Sequence, residues 1–204
     1  MDQRTKFNAA TKELITAGKL LYAKGWVPAT SGNFSMRLDA TRIAITVSGK
    51  DKGALSEHDI MTVDYNSLPL DDKKPSAETE LHVVLYKQFP EITAVLHTHS
   101  VNATLISRTS GEELRLSNYE LLKAFHGINT HETSMIVPIF ANDQDIARLS
   151  KKVVMYLQKN PSIHGYLIAG HGLYTWGRAM HETIRHLEAF EFLFECEMKL
   201  KGVR

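Results

Sequence analysis

The chain has 204 residues, with 24 lysines and arginines against 23 aspartates and glutamates, ten histidines and one cysteine. That length fits a single domain over 1–204, able to bury a core without a disulfide or a structural metal. The near-zero net charge excludes a broadly basic surface for nucleic acid or anionic membrane, and lone Cys196 excludes an internal disulfide or a cysteine-rich zinc knuckle.

The first twenty residues are mixed in charge and lack the apolar stretch of a secretory signal. No run approaches the roughly 18 apolar residues of a membrane helix, so a cytoplasmic protein is expected. Phe7, Ala10, Leu14, Ala17 and Leu21 recur at spacings of three and four and predict a helix that stops near Gly25. Strands are expected at 33–38 and 42–47, where Ile43, Ile45 and Val47 alternate with smaller residues. Residues 66–76 are polar and breaker-rich and predict a loop. A helix is expected at 79–89 and a strand at 94–99. Short helices follow at 101–107 and 118–125. Next come a strand at 135–140, a helix at 143–158, and two strands (166–169 and 173–176) around a Gly-His-Gly turn. A long helix over 180–200 closes the chain. Strands interleaved with helices predict a mixed α/β fold around a central sheet.

His97-Thr98-His99 is the sharpest local signal. Residues two apart on a strand share a face, so both imidazoles can reach one cation. His171, between Gly170 and Gly172, is the third candidate ligand. Three histidines with an open fourth position form a catalytic zinc pattern. The other seven histidines lack such spacing and are expected to be structural or surface residues, with His181 and His186 on the exposed face of the last helix. Three small-residue loops are candidate anion seats: Ser31-Gly32-Asn33, Ser48-Gly49-Lys50, and Pro75-Ser76-Ala77-Glu78, in which Ser76 suits a helix N-cap. Glu78 and Glu120 are the candidate proton-transfer acids.

The ordered motifs SGNFS, SGK, PSAETELH, HTHS and GHG resemble the class II, zinc-dependent sugar-phosphate aldolases and epimerases, over about residues 7–200. VSGKDKG, VPIFANDQDIARL and GHGLYTWG resemble the branch of that superfamily that dehydrates 5-methylthio-ribulose 1-phosphate in methionine salvage. The resemblance implies a three-layer α-β-α fold with a central, mainly antiparallel sheet. It also implies a hydro-lyase yielding 5-methylthio-2,3-dioxopentyl 1-phosphate and water. One zinc per subunit is implied, in a homotetramer with active sites at subunit interfaces. Carried over by position, His97, His99 and His171 match the zinc ligands. Ser31, Gly32, Asn33, Ser48, Gly49, Lys50 and Ser76 match the phosphate loops. Glu78 matches the aldolase acid/base, and Glu120 matches the glutamate of the dehydratase branch and ranks above it for catalysis. Ala77 stands where the aldolases carry a second serine, so one phosphate donor is missing. Aldol cleavage or 4-epimerisation at the same zinc site is the rival reading, and a non-catalytic binding protein is the reading from another class.

Overall fold

The computed structural model describes residues 2–202. Eight strands form one sheet: β1 (Asn33–Arg37), β2 (Arg42–Thr46), β3 (Ile60–Asp64), β4 (Ala94–Thr98), β5 (Glu113–Ser117), β6 (Ser134–Phe140), β7 (Gly165–Ile168) and β8 (Gly172–Gly177). Their order is β3-β2-β1-β4-β8-β7-β6-β5. Every neighbouring pair is antiparallel except β6 with β7, so the sheet is mixed and only mainly antiparallel. Five helices cover it: α1 (Gln3–Ala23), α2 (Thr79–Gln88), α3 (Val101–Thr109), α4 (Ile146–Lys159) and α5 (Met180–Leu200). Among the described residues, no helix is long and apolar enough to cross a membrane.

Strand alternation divides the core into two layers. On β4, Ala94 and Leu96 pack with α1, α3 and α5, and Val95 packs on the other face with α2 and α4. His97 has the parity of Val95, so the same alternation sends it to the α2 face. On β1, Phe34 and Met36 join the first layer, leaving Asn33 and Ser35 on the second. The register sets Asn33 directly opposite His97. One end of the β1–β4 pair therefore gathers the polar side chains.

The elements follow the sequence closely, with four corrections. β3 and β5 were not expected. The 118–125 segment is a short 3-10 turn (Glu120–Ala124). Ser76 does not cap α2. Glu78 holds the N-cap position, while Ser76 sits two residues earlier and accepts a hydrogen bond from the Glu78 N–H at 3.3 Å. His186 is buried rather than on an exposed face, because its Nδ1–H donates to the Trp176 carbonyl at 2.8 Å across α5 and β8.

Candidate metal centre

The Nε2 atoms of His97, His99 and His171 converge. They lie 2.8 Å (97–99), 3.1 Å (99–171) and 3.4 Å (97–171) apart. Three tetrahedral ligand atoms at the usual zinc–nitrogen distance would be spaced about 3.3 Å apart, so the donor set fits one cation. His97 Nδ1–H donates to the Leu173 carbonyl at 3.0 Å, which leaves the Nε2 lone pair facing the cluster. Tyr174 stacks on the same ring at 4.0 Å between centroids. His171 sits in the turn between β7 and β8. A Cβ on Gly172 would lie 2.0 Å from the Thr98 carbonyl oxygen, so only glycine lets this turn close against the end of β4.

Burial and the neighbouring imidazoles push His97 well below the ordinary histidine range, and burial brings His99 down to about 4. Both rings are therefore neutral at pH 7, with lone pairs free for a metal and little proton competition. Glu78 closes the fourth side. Its Oε2 lies 3.4 Å from His97 Nε2 and its Oε1 3.2 Å from His171 Nε2. These four residues are the only such group of metal-ligand type among the described residues.

Glu78 is held from behind. Asn33 Nδ2–H donates to Glu78 Oε2 at 2.9 Å, and its Oδ1 accepts from His82 Nε2–H. His82 Nδ1 in turn accepts from the Ser35 hydroxyl at 2.7 Å. The network thereby assigns both the His82 tautomer and the Asn33 orientation. His82 is fully buried, and burial alone pushes it down to about 3, so it stays a neutral link. The hydroxyls of Tyr166 and Tyr174 are raised well above the phenol range by burial and the nearby Glu78 charge.

A cavity of about 170 Å³ opens beside the cluster, lined by Ser31, Gly32, Asn33, Ser48, Gly49, Ser76, Glu78 and His99 among others. All three small-residue loops thus meet at one place. The Ser31 hydroxyl is buried there without a hydrogen-bond partner among the described residues, as expected of a donor that a ligand would satisfy. Lys50 departs from the expected set. Its ammonium pairs with Asp59 Oδ1 at 3.1 Å, and the residue does not line the cavity. Glu120 is also outside the cluster. Its carboxylate is largely exposed and pairs with Lys123 at 2.5 Å and His131 at 3.5 Å, and the Lys123 hydrogen bond holds it below the ordinary glutamate range. Sequence reasoning missed His82, although it closes the PSAETELH motif and lies on α2, the helix whose N-cap position Glu78 holds.

A larger cavity, about 850 Å³, lies at the other end of the sheet, lined in part by His126, His164, Arg178, Glu182 and His186. Its polar groups largely satisfy one another. Arg178 donates to His126 Nε2 at 2.6 Å, and Glu182 accepts from the Arg178 backbone N–H at 2.5 Å.

Residues 12–198 match the family described as Class II Aldolase and Adducin N-terminal domain. The chain is 56% identical over 193 residues to a methylthioribulose-1-phosphate dehydratase of Pseudomonas savastanoi pv. phaseolicola, covering 94% of this chain and 95% of that one. It is 52% identical over 200 residues to a dehydratase of the same name from Methylococcus capsulatus, covering 98% of each. Among solved structures, an L-fuculose 1-phosphate aldolase superposes with a TM-score of 0.80 at 21% identity, over 95% of this chain and 87% of that one. An l-fuculose-1-phosphate aldolase from Thermus thermophilus superposes with a TM-score of 0.75 at 22% identity, over 97% and 96%. At such identities the two structures show the shared fold.

Proposed function

Because the chain belongs to the Class II Aldolase and Adducin N-terminal domain family, we propose that it is a metal-dependent hydro-lyase converting 5-methylthioribulose 1-phosphate to 5-methylthio-2,3-dioxopentyl 1-phosphate and water, a step of methionine salvage. The observation that carries this reading is the continuity of the three imidazoles and Glu78 with a cavity lined by the three donor loops. One end of that space suits a carbonyl and the other a phosphate. The choice of dehydration over aldol cleavage rests on the identity to the two dehydratases.

Zinc is the proposed ion, held by His97, His99 and His171; when bound it supplies Lewis-acid stabilisation of negative charge developing beside the substrate ketone. The chain's own groups do the rest. The Ser31, Ser48 and Ser76 hydroxyls, with the backbone at Gly32 and Gly49, bind the phosphate, so binding energy at the unreactive end orients the carbon chain. Asn33 holds the Glu78 carboxylate in place. A base takes the C3 proton, the C4 hydroxyl departs as water after protonation, and the C3=C4 enol tautomerises to the diketone. Glu120 is the proposed acid/base, reaching the site from a neighbouring subunit of a homotetramer, with Glu78 as the acid within the same chain. The exposure of Glu120 and its weak, solvent-facing partners support donation to another copy. The chain is proposed to work in the cytoplasm, with no nucleic-acid or membrane partner.

Turnover of methylthioribulose 1-phosphate, followed by ultraviolet absorbance of the diketone with and without a chelator, tests the reading. Chelator-sensitive diketone formation is expected. Release of dihydroxyacetone phosphate and methylthioacetaldehyde instead would establish aldol cleavage between C3 and C4.

A further inference from the structure

The mechanism leaves Lys52 unused, yet it is one of the largest fully buried side chains, only 1% exposed. It lies in a 3-10 turn (Lys52–Ala54) wedged against α1, where a Cβ on Gly18 would come within 2.4 Å of the Lys52 carbonyl oxygen. Its Nζ donates to two backbone carbonyls, Thr30 at 2.9 Å and Lys50 at 2.6 Å. Thr30 immediately precedes Ser31-Gly32-Asn33, and Lys50 ends Ser48-Gly49-Lys50. One ammonium therefore joins the two loops that line the cavity.

The first loop needs such a tie. Ala29, Thr30 and Gly32 have φ of 51°, 64° and 74°. The left-handed region is unfavourable for alanine and more so for β-branched threonine. Strain of this kind persists only where surrounding contacts over-determine it. The Lys52 bond to the Thr30 carbonyl is such a contact at the strained residue itself.

Among the described residues, no carboxylate pairs with this ammonium. The adjacent Asp51 caps the turn instead, accepting from the Gly53 N–H at 2.8 Å, and Lys50 rather than Lys52 takes Asp59. Burial brings Lys52 down to about 8 against the partial support of Asp51, so the group is mostly cationic at pH 7. A buried charge without a counter-ion is costly. Its location behind two anion-type loops gives that cost a use, because a bound dianion would compensate it. The strong hydration that lysine gives up here is replaced by two carbonyls and the ligand's field.

We propose that Lys52 is a positioning residue for phosphate binding, whose buried ammonium ties the Thr30 and Lys50 carbonyls and so holds the two donor loops around one anion seat. The proposal rests on the reading of the 170 Å³ cavity as the phosphate site. It assigns to Lys52, through the backbone, the electrostatic part that Lys50 was expected to play directly.

The test uses metal-loaded enzyme and inorganic phosphate as a competitor of methylthioribulose 1-phosphate. Lys52→Met is expected to raise the KM for substrate and the inhibition constant for phosphate together, by about 10–100-fold, the range for losing a charge-assisted interaction. Turnover at saturation should fall by a smaller factor than KM rises, since the tie acts on the unreactive end and reaches the reacting carbons only through orientation. A residue that merely fills space would lower the melting temperature without moving the phosphate constant. If Lys52→Met does not fold, Lys52→Gln carries the test: it keeps N–H donors without the charge, and at least about a threefold loss of phosphate affinity is expected. Ser76→Ala separates the two ideas. Phosphate competition that weakens in Ser76→Ala but is unchanged in the Lys52 variants overturns the role of Lys52 alone. Absence of phosphate competition in the unaltered enzyme overturns the anion seat and this proposal with it.

Discussion

Glu191 offers a quantitative check on the packing behind the metal centre. It lies on α5, 3% exposed, with neither carboxylate oxygen hydrogen-bonded among the described residues. It faces the first turn of α3, where Ser100 caps the helix directly after His99. Burial pushes its carboxyl from 4.5 up to about 7, with Ser100 and Asn102 nearby moderating the rise. A raised acid binds its proton more tightly when folded, so stability falls as pH rises from about 4.5 to about 7 and is fully retained only below that window. At about 1.4 kcal/mol per pH unit, ionised Glu191 costs the fold about 3 kcal/mol. Glu191→Gln removes that cost. The variant should match the parent near pH 4.5 and melt about 6–12 °C higher at pH 8, for a chain of this size. Thermal unfolding followed by circular dichroism at matched ionic strength and metal content reads the difference. Parallel curves for parent and variant between pH 4.5 and 8 would refute the reasoning.

Three further outcomes are expected. Mixing inactive Glu120→Gln with inactive Glu78→Gln, then reassembling the proposed tetramer, should restore about a quarter of the activity if each site takes Glu120 from a neighbour in a symmetric ring. Activity that stays at background after mixing places both acids in one chain. His171→Ala should weaken metal binding by more than about 100-fold, measured by metal analysis after dialysis, and full retention of one ion per chain would remove His171 from the ligand set. His82→Phe should cut kcat at least about tenfold and cost about 1–3 kcal/mol of stability, because Asn33 Oδ1 and the Ser35 hydroxyl lose their buried partner. A folded variant with unchanged turnover would show that Asn33 needs no support to hold Glu78.

Much of the fold was legible because its signals are periodic and local. Heptad-like spacing marked α1, and the closing helix was placed at its observed limits. The two missed strands failed for different reasons. Ile60–Asp64 follows two short 3-10 turns, and its buried Ile60, Met61 and Val63 do not alternate strictly, so no period-two signal marks this edge strand. Glu113–Ser117 does alternate, with Leu114 and Leu116 inward and Glu113 and Arg115 outward, but it follows a helix that runs two residues further than expected. The burial of His186 was hidden because a helical wheel shows polarity, while the Trp176 carbonyl that satisfies the ring comes from a strand.

The site divides along the same line. The three histidines were legible because a strand places alternate residues on one face and glycines mark the turn that brings the third. The loops were legible as chemistry, but their convergence depends on the Asn33–His97 register, which is a long-range pairing. The lysines show the limit most sharply. Lys50 and Lys52 are two residues apart in one motif, and side-chain type cannot separate them. The difference is tertiary: Lys50 points to Asp59 at the surface, whereas the turn packed on Gly18 drives Lys52 inward, beneath the loops. A residue that acts through backbone carbonyls leaves no motif of its own, because its partners can be any residue type. Such residues become visible only when the strained carbonyl, the buried charge and the cavity beside them are seen together.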